Sequence, residues 1–386
     1  MNTAVTSTHR VPKTHCGAGC LSRLAHECSL LGAKNLLVVA DRWLLASPLM
    51  EGVVSQLQAH SIAFGIFSDV RPDPEIEHVQ NLIAQYRDRS IDLVLAIGGG
   101  SAIDIAKISA LGLHESCKGD EFLNPSEGSR ALPLVVVPTT AGTGSEVTAV
   151  AVLTDAKNQV KKGIVSEQII PQVVFLDPLV TLSLPPDQTA YTGLDALTHA
   201  VEAFTSRNAQ PFTDLFAAEA IEIVRENLHL AVEFPQSIPA REKMQRAAYC
   251  AGLAFGNAGV TAAHALAYPL GARHHVPHGL AVVLLLPAVL EHNVSQSLQN
   301  EKWLRLAALL SGKEDARAED VSRYVSQICQ RVQVKMGLKQ IGVTSNELLP
   351  MAEAAADIER ILKNNPVPLT HDVASIYKIY QRAWEG

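Results

Sequence analysis

Five short stretches in the first 180 residues are aliphatic almost without interruption: NLLVVAD (35–41), AFGIFSDV (63–70), DLVLAIGGG (92–100), LPLVVVPTT (132–140) and VVFLDP (173–178). A strand with one wet face alternates apolar and polar side chains, whereas continuous runs belong to strands covered on both faces. Between several of them, PLMEGVVSQLQAH and EIEHVQNLIAQYRDR repeat their apolar positions at helical spacing. Strand–helix alternation of this kind predicts a parallel sheet flanked by helices. After LPPDQTA (184–190) the texture changes. GLDALTHAVEAF, TDLFAAEAIEIVREN, REKMQRAAYCAGLAF and EKWLRLAALL are Ala- and Leu-rich with helical periodicity and few strand signals. The pattern predicts an α/β domain over residues 1–184 and an all-helical domain over 185–386, with no internal repeat.

Length and composition agree with two domains. The chain has 386 residues, 47% hydrophobic and 18% charged, which suits a folded enzyme and excludes a disordered segment. A net charge of -7 gives no basic surface for a phosphate backbone, so no nucleic-acid role is expected. The first residues, MNTAVTSTHRVPKTHC, lack the apolar core of a secretory signal. LAVVLLLPAVL, near residue 280, reads as too short for a bilayer span. The expectation is a cytoplasmic protein with no membrane partner. Six scattered cysteines suit reduced thiols better than a disulfide framework, and Cys16 and Cys20, near His15 and His26, are too loosely spaced for a zinc site.

Two turns in the first half are candidates for a nucleotide. IDLVLAIGGGSAIDIAKISALGL reads strand, glycine turn, helix. Glycines allow close approach of a ligand to the backbone, and a helix N-terminus offers N–H groups to phosphate. The spacing is not G-x-G-x-x-G, and a tight turn without ligand fits it too. VVVPTTAGTGSEVT supplies a second turn, rich in small and hydroxyl residues, after another strand. Two such turns meet at the carboxyl edge of a parallel sheet, where open α/β folds bind ligands. Asp41 also closes a strand; it reads equally as an acceptor for an adenosine ribose, favouring NAD over NADP, or as a helix N-cap.

In the second half, Asp195 and His199 stand four apart on a predicted helix and emerge on one face. Alone they read as a self-satisfied hydrogen-bonded pair. HALAYPLGARHHVPHG adds His264 and His278. One carboxylate and three imidazoles suit Fe(II) or Zn(II) in a catalytic rather than a structural site.

Together, GGGSAIDIAK, PTTAGTGSEVT, GLDALTHAVEAF, HALAYPLG and VPHGLAVVLLLP resemble the iron-containing (group III) alcohol dehydrogenases, in order and over nearly the whole chain. The resemblance implies a Rossmann-like dinucleotide-binding domain, an all-α domain and a divalent metal in the cleft between them, the architecture shared with dehydroquinate synthase. It places the metal on Asp195, His199, His264 and His278. It places the adenosine ribose on Asp41, the pyrophosphate on Gly99, Gly100 and Ser101, and a threonine-lined pocket at Thr139, Thr140, Thr143 and Thr148. Lys161, with Lys162 adjacent, and Leu179 match further cofactor contacts.

Two positions depart from the family pattern. Asp73 stands where many members have Asn. Tyr268 stands where many have a histidine that moves the alcohol proton, and with a reference pKa of about 10 tyrosine is a poor base at neutral pH. His274 or His275 offers an imidazole instead; Tyr268 and His275 are the candidate proton path, against a plain solvated loop. The implied activity is hydride transfer between NAD and a small alcohol or aldehyde at Fe(2+), or Zn(2+), in a homo-oligomer of two or more copies. The alternatives are a zinc-dependent glycerol or polyol dehydrogenase, a dehydroquinate synthase-type lyase, and a non-catalytic NAD- or metal-binding protein. Phe204, Phe255, Val260 and Tyr268 are the candidate lining of an apolar substrate pocket.

Overall fold

β4 (Leu93–Gly98) and β5 (Leu134–Pro138) are buried at every residue, as their unbroken apolar runs require. They lie in the middle of a six-stranded sheet of order β1-β8-β5-β4-β2-β3, completed by β1 (Lys13–Cys16), β2 (Asn35–Ala40), β3 (Ala63–Phe67) and β8 (Val173–Leu176). Every pairing in this sheet is parallel. Alternate residues feed two separate cores. Leu37, Val39, Val94, Ala96 and Val136 face one, and Leu36, Val38, Leu95, Ile97 and Val137 face the other. Each such side chain contributes about 1.5–3 kcal/mol by leaving water, and that is why these strands carry no polar face.

The computed structural model describes residues 7–114, 116–157, 160–296 and 300–386. The chain divides into two compact units, one of them Thr8–Ser183 and the other made mainly of Leu184–Gly386. In the first, α1 (Leu24–Leu30), α2 (Pro48–Ala59), α3 (Ile76–Tyr86) and α4 (Gly100–Gly112) connect or follow the strands. Three strands were not expected. β1, KTHC, is a four-residue edge strand too short and too polar to show a period. β6 (Val150–Asp155) and β7 (Val160–Val165) form a separate antiparallel ribbon.

The second unit is helical. Its elements are α5 (Pro186–Thr205), α6 (Pro211–Glu233), α7 (Ile238–Ala258), α8 (Ala262–His274), α9 (His278–Gln296), α10 (Asn300–Ser311), α11 (Val321–Arg331), α12 (Leu348–Ala356), α13 (Glu359–Leu362) and α14 (Val373–Glu385). α5 is enclosed by α6, α7 and α9, so every residue from Gly193 to Thr205 is buried. α9 corrects the reading of the apolar run near residue 280: its 19 residues are long and apolar enough to cross a bilayer. Packing explains that composition, because α9 is mostly buried against α5, α8, α11 and α14.

Candidate active site

The strands of the large sheet run the same way, so the residues that follow β2, β4, β5 and β8 emerge at one edge. The chain leaves β2 for β3 on one side, then returns to place β4 on the other. That reversal opens a crevice at the carboxyl ends of β2 and β4, where doubly wound sheets take their ligands. Asp41 ends β2 and the glycine turn ends β4. The Asp41 carboxylate does not cap the 3-10 turn after it; it accepts from the Gly99 N–H, while burial holds its pKa above the ordinary carboxylate value. A Cβ at Gly98 would lie 2.7 Å from Asp41 Oδ2, so this approach needs glycine.

Thr140 and Thr143 close on the same turn. A Cβ at Gly99 would meet Thr140 Cγ2 at 3.2 Å, and one at Gly100 would meet Thr143 Cγ2 at 2.8 Å. α4 begins at Gly100 without a side-chain cap, and Ser101 lies in its first turn. Thr139 follows β5 and donates its N–H to Gly98 O at 3.0 Å. Leu179, 43% exposed, sits in the turn after β8. Asp41, Gly99, Gly100, Thr140 and Thr143 are thus brought together. Thr148, eight residues after Thr140, is buried, and its Oγ1 accepts from Lys107 Nζ at 3.0 Å. Lys161 stands on the β6–β7 ribbon, paired with Asp73. Lys162, the next residue of the strand, points to the opposite face. Asp73 itself adopts a left-handed conformation, φ 51°.

The second cluster lies wholly within the helical unit. Ligand atoms of Asp195 and His199 on α5 and His264 on α8 all fall within 4.8 Å of one another. His278, the first residue of α9, brings Nε2 to 3.8 Å from Asp195 Oδ1, the same distance as His264 Nε2. Gly279 makes that approach possible, since a Cβ there would stand 2.1 Å from the Tyr191 carbonyl oxygen. Asp195 Oδ1 and His264 Nε2 are buried and accept or donate no hydrogen bond among the described residues. Leaving such atoms unsatisfied costs about 1–3 kcal/mol each, so their persistence marks a place built for a ligand. A carboxylate oxygen and imidazole nitrogens converging within a few ångströms fit a divalent metal of the Fe(II) or Zn(II) type.

Around the cluster, side chains orient the imidazoles. Glu202, one turn after His199 and 1% exposed, accepts from His264 Nδ1 at 2.5 Å. Its other oxygen accepts from Thr261 Oγ1 at 2.8 Å and from the Ala263 N–H at 2.7 Å. With the proton fixed on Nδ1, His264 presents the Nε2 lone pair inward. Burial alone would raise the Glu202 pKa, but His264 and the Thr261 contacts outweigh it and hold the carboxylate ionised. Burial pushes Asp195 up to about 7, with Glu202 adding to the shift and His264 opposing it. His199 is stacked between Phe255, ring centroids 4.1 Å apart, and His264, 4.5 Å apart. Glu202 went unpredicted, although its offsets from Asp195 and His199, seven and three, place it on their helix face.

The other expected residues divide. Tyr268 lies one turn beyond His264 on the same helix. His275 is exposed in the left-handed C-cap of α8, and His274 is hydrogen-bonded to Glu347 at 2.9 Å. Phe204 does not line a pocket: it is fully buried, with Lys302 and Arg305 over its ring.

Known proteins match along the whole length. The model of the family described as iron-containing alcohol dehydrogenase matches residues 12–178, and that of the Fe-containing alcohol dehydrogenase family, C-terminal, matches 189–384. Long-chain-alcohol dehydrogenase 1 of Geobacillus thermodenitrificans is 37% identical over 97% of this chain and 96% of its own. A crystal structure of 1,3-propanediol oxidoreductase superposes with a TM-score of 0.91 at 32% identity, covering 98% of this chain and all of the other. Sulfoacetaldehyde reductase from Bifidobacterium kashiwanohense, solved with NAD+, gives 0.86 at 30% identity, over 98% of this chain and 99% of its own.

Proposed function

The chain belongs to the iron-containing alcohol dehydrogenase family, NAD- and divalent-metal-dependent enzymes that interconvert alcohols and aldehydes, and we propose how its residues divide that work. Asp195, His199, His264 and His278 hold the metal. Asp41, Gly99, Gly100, Ser101, Thr139, Thr140 and Thr143 take the dinucleotide, with Leu179 and Lys161 as further contacts. The observation that carries the metal reading is the buried, unsatisfied pair Asp195 Oδ1 and His264 Nε2 beside two more imidazoles.

A bound divalent ion supplies Lewis acidity toward the substrate oxygen, and NAD supplies the hydride acceptor. The chain supplies the rest. Glu202 keeps the proton on His264 Nδ1, and Phe255 fixes the plane of His199. The uncapped first turn of α4 and the hydroxyls of Thr140 and Thr143 receive the pyrophosphate, where N–H groups and the helix dipole favour negative charge. Asp41 accepts from a ribose hydroxyl and repels a 2′-phosphate, so NAD is preferred to NADP. Tyr268 Oη, one turn beyond His264, hands a proton to or from the substrate oxygen.

The substrate is a small alcohol or aldehyde. Relatives whose names include a long-chain alcohol, a propanediol and a sulfonated aldehyde leave the side-chain preference to this chain's own residues. We assign the enzyme to the cytoplasm, as a dimer or larger homo-oligomer. Metal content and nucleotide preference test the assignment together. Anaerobic Fe(II) titration is expected to load one ion per chain and to fail in D195N and H264Q. Aspartate 41 replaced by glycine is expected to improve kcat/KM for NADPH by about tenfold relative to NADH. Full metal loading in both ligand variants would overturn the site, and a wild-type preference for NADPH would overturn the role of Asp41.

A further inference from the structure

Lysine is almost never fully buried, yet Lys107 on α4 has no exposed surface. Its three N–H donors are all used: Nζ donates to Thr148 O at 2.8 Å, Thr148 Oγ1 at 3.0 Å and Val150 O at 2.8 Å. Burial pushes its pKa down to about 8, against the opposing pull of Asp104 and Glu146, so the ammonium is charged at neutral pH. One turn earlier on the same helix face, Asp104 accepts from Ser145 Oγ at 2.5 Å and from the Val152 N–H at 2.9 Å. Asp104 therefore holds both ends of residues 145–152, and Lys107 holds Thr148 and Val150 between them.

Thr140 and Thr143 lie immediately before this segment, and the helix that grips it begins at the glycine turn those threonines touch. Gly144 is left-handed, φ 59°, and Ser145 N–H donates to Thr143 Oγ1 at 3.3 Å, so the Ser145 anchor lies directly beside the Thr143 hydroxyl. A hydrophobic contact would tolerate sliding; two charge-assisted clusters with fixed acceptors do not. We propose that Asp104 and Lys107 are positioning residues for the dinucleotide: they lock the hydroxyl loop to α4 so that its threonines and the glycine turn face the pyrophosphate as one rigid body. They touch no ligand themselves. The proposal rests on the reading of the glycine turn and Thr143 as the nucleotide site.

The test uses the full-length, iron-loaded enzyme and reads the Kd of NADH by fluorescence beside KM for NAD, kcat and iron content. Removing the Ser145 hydroxyl in S145A is expected to raise Kd and KM about five- to tenfold, the loss of roughly one hydrogen bond, with kcat and iron content unchanged. S145T, which restores the hydroxyl, is expected to bind NADH within twofold of wild type. K107M fills the same space without donors and is expected to weaken NADH binding more than tenfold. Should K107M fail to fold, the S145A and S145T pair decides. T143V separates the two levels of the argument. If T143V weakens NADH binding while S145A and K107M stay within twofold of wild type, the positioning role is overturned and the nucleotide site stands. If T143V also binds NADH normally, the site reading falls with it.

Discussion

Glu202 is a buried carboxylate with four hydrogen-bond donors aimed at it. Such a group costs several kcal/mol to desolvate, and it is retained where a charge must be balanced nearby. E202Q keeps the shape but can no longer accept from His264 Nδ1 with a full charge. We expect metal affinity to fall about 10- to 100-fold with the fold intact, measured by competition with a chromophoric chelator. Unchanged affinity would reduce Glu202 to a packing residue. Tyr268 makes a different prediction. Y268F should lower kcat about 100-fold at unchanged iron content if its hydroxyl moves the proton; an unaltered kcat would place the proton path elsewhere. Asp195 and His199 were legible together because a helix brings i and i+4 to one face. Glu202 shares that face but was passed over, since a glutamate on a helix is by default a solvated one. Lys107 was hidden for the same reason: nothing local marks a lysine whose partners lie some forty residues ahead.

At the scale of elements, close approaches set by glycine and buried charge govern stability. The step from His278 into α9 depends on Gly279 passing against α5. G279A is expected to displace His278 and reduce metal affinity at least tenfold, while helix content by circular dichroism is unchanged. Glu146, buried at the start of the turn after Gly144, has its pKa pushed up to about 7, chiefly by burial. A carboxyl that binds its proton more tightly folded than unfolded stabilises at low pH. The contribution is complete below about 4.5, the unfolded value, and is lost as pH rises through about 7. Across that window E146Q should remove a decline on the order of 3 kcal/mol, about 6–12 °C in Tm for a unit of this size. Identical pH slopes in the two proteins would contradict it. The central strands were readable because burial on both faces leaves no polar period to confuse. β1 was not, being four residues at an edge, and the β6–β7 ribbon was not, because VKKGIV mixes charge with valine and lacks a two-residue turn signature.

Across the whole molecule, the two chemistries reside in separate units. The four proposed metal ligands belong to Leu184–Gly386, and the strand-end residues around the glycine turn belong to Thr8–Ser183. Ligands that bind only the native state stabilise the unit they bind, by about 2.7 kcal/mol at a hundred times Kd. Iron should therefore slow amide exchange in α5, α8 and the start of α9, and NADH should slow it in the turn before α4 and in residues 139–148. The family was legible in order and over nearly the full length, but the pairing of residue 195 with 264 and 278 was not a matter of spacing; it is made by the packing of α5 against α9 and of α8 against α9. The measurement that bears most directly on the account is NADH-linked turnover of an aldehyde by enzyme stripped of metal under anaerobic conditions, then titrated with Fe(II) or Zn(II). The account predicts no turnover in the stripped enzyme and a return proportional to metal bound, saturating at one ion per chain. Full turnover in a sample shown to be free of metal would contradict it.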